Sequence, residues 1–181
     1  MFRSYAPFIF GVTDGVVGAA EGAFTGAVGA AVLSALGVEC DAVEAAKIAA
    51  LGKSMLAAAL AARSKKLVTC GFFHKASNKL FSFSNAFLVS SYTGLQVVSG
   101  VLGNMIFQFV NNTDGSQEEV MKIMALGAVV TLVPVWLIDS YLYHKISPKL
   151  TRFGKTLKLL DWLQHEEDDE APASSLGHRL R

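Results

Sequence analysis

From Ala86 to Val110 the chain runs for 25 residues without a charged side chain, longer than the roughly 20 residues a helix needs to cross the hydrocarbon core of a bilayer. Such a run predicts a transmembrane helix. Its polar members, among them Ser90, Gln96, Ser99 and Asn104, are costly against lipid, so they are expected on a face turned to another helix, where small Ser and Gly side chains permit close approach. The polar stretch Asn111 to Glu119 reads as a hairpin turn, with Asp114-Gly115 as a reversal and Ser116 placed to cap a helix that carries Glu119 three residues on. A second uncharged run, Ile123 to Ile138, returns across the membrane and continues through Asp139 to Tyr143, with Pro134 as a kink. Trp136, Tyr141 and Tyr143 then fall where an aromatic belt meets headgroups, and His144, Lys145 and Lys149 follow. Asp139 is expected at the interface.

Composition agrees with a membrane solvent. Hydrophobic residues make up 52% of the 181 and charged residues 17%, the mean hydropathy is +0.41, and a soluble domain of this length is ordinarily less apolar and more charged. A net charge of +1 provides no basic field, so no nucleic acid is expected as a partner. Cys40 and Cys70 have no neighbours at metal-ligand spacing, His74 alone excepted, and read as small apolar fillers or free thiols. No metal site, no cofactor and no catalytic nucleophile–base–orienter set emerges, which argues against an enzyme. The N-terminal apolar stretch is interrupted by Asp14 and lacks a small-x-small cleavage site, so no cleavable signal peptide is expected.

The first third is less orthodox. Gly11, Gly15, Gly18, Gly22, Gly26 and Gly29 are spaced 4, 3, 4, 4 and 3 residues apart, which on a helix makes one continuous stripe. A glycine stripe suits close helix packing in a membrane and weakens an exposed soluble helix. At about 100° per residue, Asp14, Glu21 and Thr25 fall together along one edge of it. Intramembrane carboxylates are expensive and mark function by default. Asp14, Glu21 and Thr25 are therefore the candidate ion or proton site, and the competing reading pairs the two acids with Lys47 or Lys53 or sets them in a partly hydrated groove.

Asp41-Ala-Val-Glu44 has the form of a capping box, and the Ala-rich helix it opens extends to about Ala62, before Arg63, Lys65 and Lys66 favour its C-terminal dipole. Lys47 and Lys53 leave open whether this element spans the bilayer or lies at its surface. Residues 67–83 mix basic side chains with Phe72, Phe73, Phe81 and Phe83 as an interfacial connector. The basic segments Arg63 to Lys79 and Lys145 to Lys158 flank the hairpin, so the positive-inside rule puts both termini on the cytoplasmic or equivalent side. Beyond Pro148, Leu150, Phe153, Leu157 and Leu160 form an apolar face opposite Arg152, Lys155 and Lys158, with Trp162 near the end. This predicts an amphipathic helix on an anionic membrane surface, with docking on a partner helix as the rival reading. The acidic run Glu166 to Glu170 and the tail after it are expected to be solvated and disordered.

Three short stretches resemble known families. Gly11-Val-Thr-Asp14-Gly15 is similar to the first helix of vacuolar-iron-transporter-type proteins, with Ser54-Met55 at a similar place in the second; the resemblance implies metal contact by Asp14 and Met55, whereas Ala58 and Ala59 stand where that family carries a glutamate. Gly22-Ala-Phe-Thr-Gly26, followed by Gly29, resembles the glycine-rich helix of the four-span mitochondrial preprotein and amino-acid transporter family, without its downstream Arg-x-x-x-Asp signature. Glu166-Glu-x-x-Glu170 is similar to the acidic C-terminal block of type IV-secreted bacterial effectors, some of which insert into host membranes.

These readings predict an all-α polytopic membrane protein of two helical hairpins, three to four spans in all. The membrane domain covers 1–146, with helices at about 7–37, 42–62, 86–110 and 120–143. The amphipathic helix follows at 147–164 and the acidic tail at 165–181. The leading expectation for function is a non-enzymatic scaffold or assembly subunit, or an inserted effector, working with the lipid bilayer and with other membrane helices in a homo-oligomer or larger complex. A small cation or solute transporter using intramembrane acids is the alternative.

Overall fold

The structure, a computed structural model, describes residues 6–69, 84–112 and 115–170. These form four helices, α1 (Ala6–Ala35), α2 (Ala42–Ser64), α3 (Ser84–Asn111) and α4 (Gln117–Glu170), with no strand among the described residues. Each contains a stretch long and apolar enough to cross a membrane: Pro7–Ala35, Ala42–Ser64, Val89–Asn111 and Gln117–Leu150. The chain is an all-α, multi-pass helical membrane protein. The aromatic and basic part of the connector, Cys70 included, and the tail from residue 171 lie outside the described residues.

Local chemistry sets the helix ends. Asp41 caps α2 with its carboxylate, accepting from Val43 N at 2.8 Å and Glu44 N at 3.2 Å, which satisfies amides that have no intrahelical acceptor. The helix stops at Lys65, whose φ of 53° is left-handed and terminates the α-helical ladder. Ser116 caps α4 through its hydroxyl, which accepts from Glu119 N at 3.3 Å.

The helices run up, down, up and down, and each packs mainly against two others: α1 between α2 and α4, α3 between the same two. Backbones approach wherever glycine removes the side chain. A Cβ added to Gly22 or Gly26 would run into the carbonyls of Ala49 and Ala45 on α2, and one on Gly29 would meet Ile123 O of α4. The sequence stripe thus serves two neighbours, Gly11 to Gly26 facing α2 and Gly29 facing α4. Gly52 of α2 faces Ser99 O of α3, Gly103 faces Ile48 O in return, and Gly127 of α4 faces Thr25 O of α1. The fourth seam, α3 against α4, has Gly100 beside the Met124 side chain. These glycines escape a search for periodicity because none belongs to a run as long as that of α1.

The bundle is inside-out relative to a soluble protein. Asp14, Glu21, Lys53, Gln96, Thr131 and Asp139 are buried, whereas Val16, Val98, Phe109, Val129, Val133 and Leu137 are exposed. An apolar exterior around a polar interior is stable only where the surrounding solvent is hydrocarbon. Lys53, which made the span of α2 doubtful in sequence, is 3% exposed and points inward. Asp139 is corrected as well: it is 2% exposed, buried in the bundle and not at an interface.

One boundary differs from expectation. No break separates a fourth span from an amphipathic helix; α4 passes through Pro134 and Pro148 for 54 residues, about 80 Å at 1.5 Å per residue. A proline removes one i→i−4 bond and crowds one carbonyl, and the helix continues past both. The acidic run continues the helix to Glu170, in keeping with the high helix propensity of glutamate. Arg152 and Phe153 are exposed on this extension. Lys155, Lys158 and Trp162 lie on the same helix, their side chains outside the described set.

Candidate functional site

Glu21 stands at the middle of the α1 span and Lys53 at the middle of the α2 span. Their side chains meet: Lys53 Nζ donates to Glu21 Oε1 at 2.8 Å, with both side chains buried. The same oxygen accepts from Tyr92 Oη at 3.1 Å and from Gln96 Nε2 at 2.5 Å, both on α3. Lys53 Nζ also lies 5.4 Å from the centre of the Tyr92 ring, within cation–π range. Three helices therefore converge on one carboxylate oxygen. The other oxygen, Oε2, is buried with no hydrogen-bond partner.

Asp139 enters from α4. Its Oδ2 is likewise buried and unpartnered, and Ser140 Oγ beside it shares that condition. Glu21 and Asp139 line one cavity of about 250 Å³ between α1 and α4, otherwise walled by apolar side chains including Val16, Ala20, Phe24, Val135 and Ile138. Above it the two helices are held by the hydroxyls of Thr25 and Thr131, 3.3 Å apart, Thr131 donating in addition to Gly127 O at 2.7 Å.

Asp14 has a different environment. Its Oδ2 accepts from Val68 N at 3.0 Å, Thr69 N at 3.0 Å and Thr69 Oγ1 at 3.1 Å, and its Oδ1 lies 3.2 Å from Thr69 N. The chain after α2 has turned back onto α1 here, with Leu67 and Thr69 buried. Backbone amides at this depth need an internal acceptor, and Asp14 is that acceptor. Two helical turns, about 10 Å of axis, separate it from Glu21, and the two acids share no hydrogen-bond partner among the described residues. Of the three residues that the helical edge groups together, Glu21 joins the charged cluster, Thr25 bridges to α4, and Asp14 anchors a turn.

No family model, curated protein or solved structure matches this chain. The three local resemblances consequently carry no family assignment, and the site stands on its geometry. Among the described residues no three His, Cys, Asp or Glu side chains converge as a metal-ligand set. What converges is two carboxylates and one ammonium at mid-span, with a third carboxylate committed to backbone amides.

Of the cluster, sequence reasoning reaches Glu21 and names Lys53 as one of two pairing partners. Tyr92 is missed, Gln96 is expected to face another helix but is not tied to Glu21, and Asp139 is misplaced at an interface. A signal for the first two exists: Tyr92, Gln96 and Ser99 follow an i, i+4, i+7 pattern on α3, a polar stripe facing inward, and all three are buried. Asp139 has no such pattern, because its position beside Trp136 and Tyr141 is equally that of an interfacial acid.

Proposed function

We propose that this chain transports protons or a small monovalent cation across its membrane, with Glu21 and Asp139 as the cation-binding carboxylates and Lys53 as the fixed counter-charge. The observation that carries this reading is the pair of buried, unpartnered carboxylate oxygens, Glu21 Oε2 and Asp139 Oδ2, on residues lining one cavity within the spans. Buried polar atoms are paired in stable interiors, so such orphans mark places where water or a ligand belongs. A second carboxylate beside an already neutralised Glu21–Lys53 pair leaves negative charge that a proton or cation balances.

The test is flux in liposomes containing the purified full chain, read with a pH-sensitive dye and with labelled sodium or potassium. Flux above protein-free liposomes is expected, falling about ten-fold or more in both Asp139→Asn and Glu21→Gln and persisting in Asp14→Asn. No flux in the unsubstituted protein, or unchanged flux in the first two variants, would overturn the reading.

A second reading, as a scaffold or assembly subunit, is favoured by the extension of α4 as a helix from Leu150 to Glu170, past the end of its span. The glycine stripe gives it less support than the sequence suggests, since α2 and α4 of the same chain already occupy that face. Co-purification of a stable partner lost on truncation after Leu150, together with absent flux, would favour this alternative.

A further inference from the structure

The cavity between α1 and α4 has a composition that a channel for bare ions does not need. Its floor holds Glu21 and Asp139, and its walls are aliphatic and aromatic. Several wall residues also belong to the outer surface: Val16 is 66% exposed, Ile138 53% and Phe24 43%. The cavity therefore opens sideways, toward the lipid, and a molecule dissolved in the bilayer reaches it without crossing water. At its inner end lie Glu21 and Asp139, whose oxygens without protein donors are buried beneath the apolar lining. The Lys53 ammonium is held on Glu21 Oε1 at 2.8 Å and neutralises that carboxylate.

We propose that this lateral cavity binds an amphiphilic organic cation, an alkyl or arylalkyl ammonium whose apolar part lies among Val16, Ala20 and Ile138 and whose charged head faces Asp139 and Glu21. The inference rests on the cation-binding reading of those two acids and names the class of ligand they take. Three features of the site select that class. Apolar walls gain from burial of a hydrocarbon group. A buried carboxylate that ionises against a bound cation in a low-dielectric surrounding favours that cation over a neutral or anionic head. Phe24 on the wall supplies an aromatic ring, a group whose face attracts ammonium ions. The volume, about 250 Å³, lies just below the roughly 300 Å³ at which drug-sized pockets begin, so one ring or a short chain with its ammonium head fills it.

The experiment uses the full chain in phosphatidylcholine nanodiscs, with benzyltrimethylammonium as probe and neopentylbenzene, its uncharged isostere, as control. Binding is measured by equilibrium dialysis with empty nanodiscs subtracted. Saturable one-to-one binding of the ammonium is expected, with no saturable binding of the hydrocarbon. Affinity should fall about ten-fold or more in Asp139→Asn, which removes the carboxylate, and in Ala20→Trp, which fills the cavity. The second variant keeps the test decisive if the first does not fold. Equal binding of both probes would make the cavity an acyl-chain groove and overturn the proposal, as would ammonium binding indifferent to both substitutions. Flux lost in Asp139→Asn without ammonium binding would sink the ligand and leave cation transport standing; ammonium binding without flux in the unsubstituted protein would do the reverse.

Discussion

Glu21 stands between two seams of opposite construction. Toward α2 the helices touch backbone to backbone, because Gly18, Gly22 and Gly26 present no Cβ to Ala45, Ala49 and Lys53. Toward α4 they touch at Gly29 and Gly127 and then part, leaving a cavity at the level of Glu21 and Asp139. An opening of this kind is what helix crossing produces: at a typical bundle angle of about 20°, axes separate by roughly 4 Å over about 12 Å of length. The carboxylate registers the difference, with Oε1 saturated by donors on the closed side and Oε2 bare on the open one. One seam is built for stability, and the other retains the space and unsatisfied charge that binding requires.

The largest effect expected from breaking this contrast comes from Lys53→Met. Removing one partner of a buried ion pair strands the other, and a loss of about 3–5 kcal/mol is expected, read by unfolding titration in mixed micelles. The double variant Glu21→Gln/Lys53→Met should recover most of it. If single and double variants are equally unstable, the pair is not what stabilises the closed seam.

Next in size is a paired comparison across α1. Gly22→Ala forces a methyl toward Ala49 O and should cost about 1–3 kcal/mol by overpacking. Ala20→Val adds volume where the cavity has room and should stay within about 0.5 kcal/mol. Equal costs on the two sides would remove the distinction between the seams. Thr25→Val then tests the crossing itself: losing the hydroxyl contact to Thr131 should cost about 0.5–1.5 kcal/mol, with Thr131 still bonded to Gly127 O.

The smallest effect lies where the loop between α1 and α2 reaches the start of α4. Cys40 is half-buried, and its thiol donates to Glu119 Oε1 at 3.5 Å. Burial, then that hydrogen bond and the carboxylate charge, hold the thiol above its ordinary range. Since the thiolate is the nucleophile, Glu119→Gln should lower the thiol toward its usual value and speed maleimide labelling at pH 8. A change of a few-fold is expected, and slower labelling would show that Glu119 does not hold the thiol back.

Much of the architecture was legible before any coordinates. The uncharged run in α3 is already a spanning helix, and the Asp41 and Ser116 caps lie where side-chain chemistry puts them. Both signals are local: a span follows from length and hydropathy, and a cap from one oxygen and the next few amides. The continuous α4 was less legible, since proline reads as punctuation in a sequence although a long helix can carry it.

The site divides along the same line. Sequence alone determined that Glu21 lies on a small-residue face of an apolar helix, where a carboxylate needs a partner or a purpose. Only the tertiary structure decided that the partner is Lys53, that Tyr92 and Gln96 reinforce it, that Asp14 serves backbone amides two turns away, and that Asp139 comes to the cavity from the far end of the chain. Helical periodicity specifies which residues share a face of one helix. Which faces meet, and which polar atoms remain unpaired when they do, depends on the packing of all four helices.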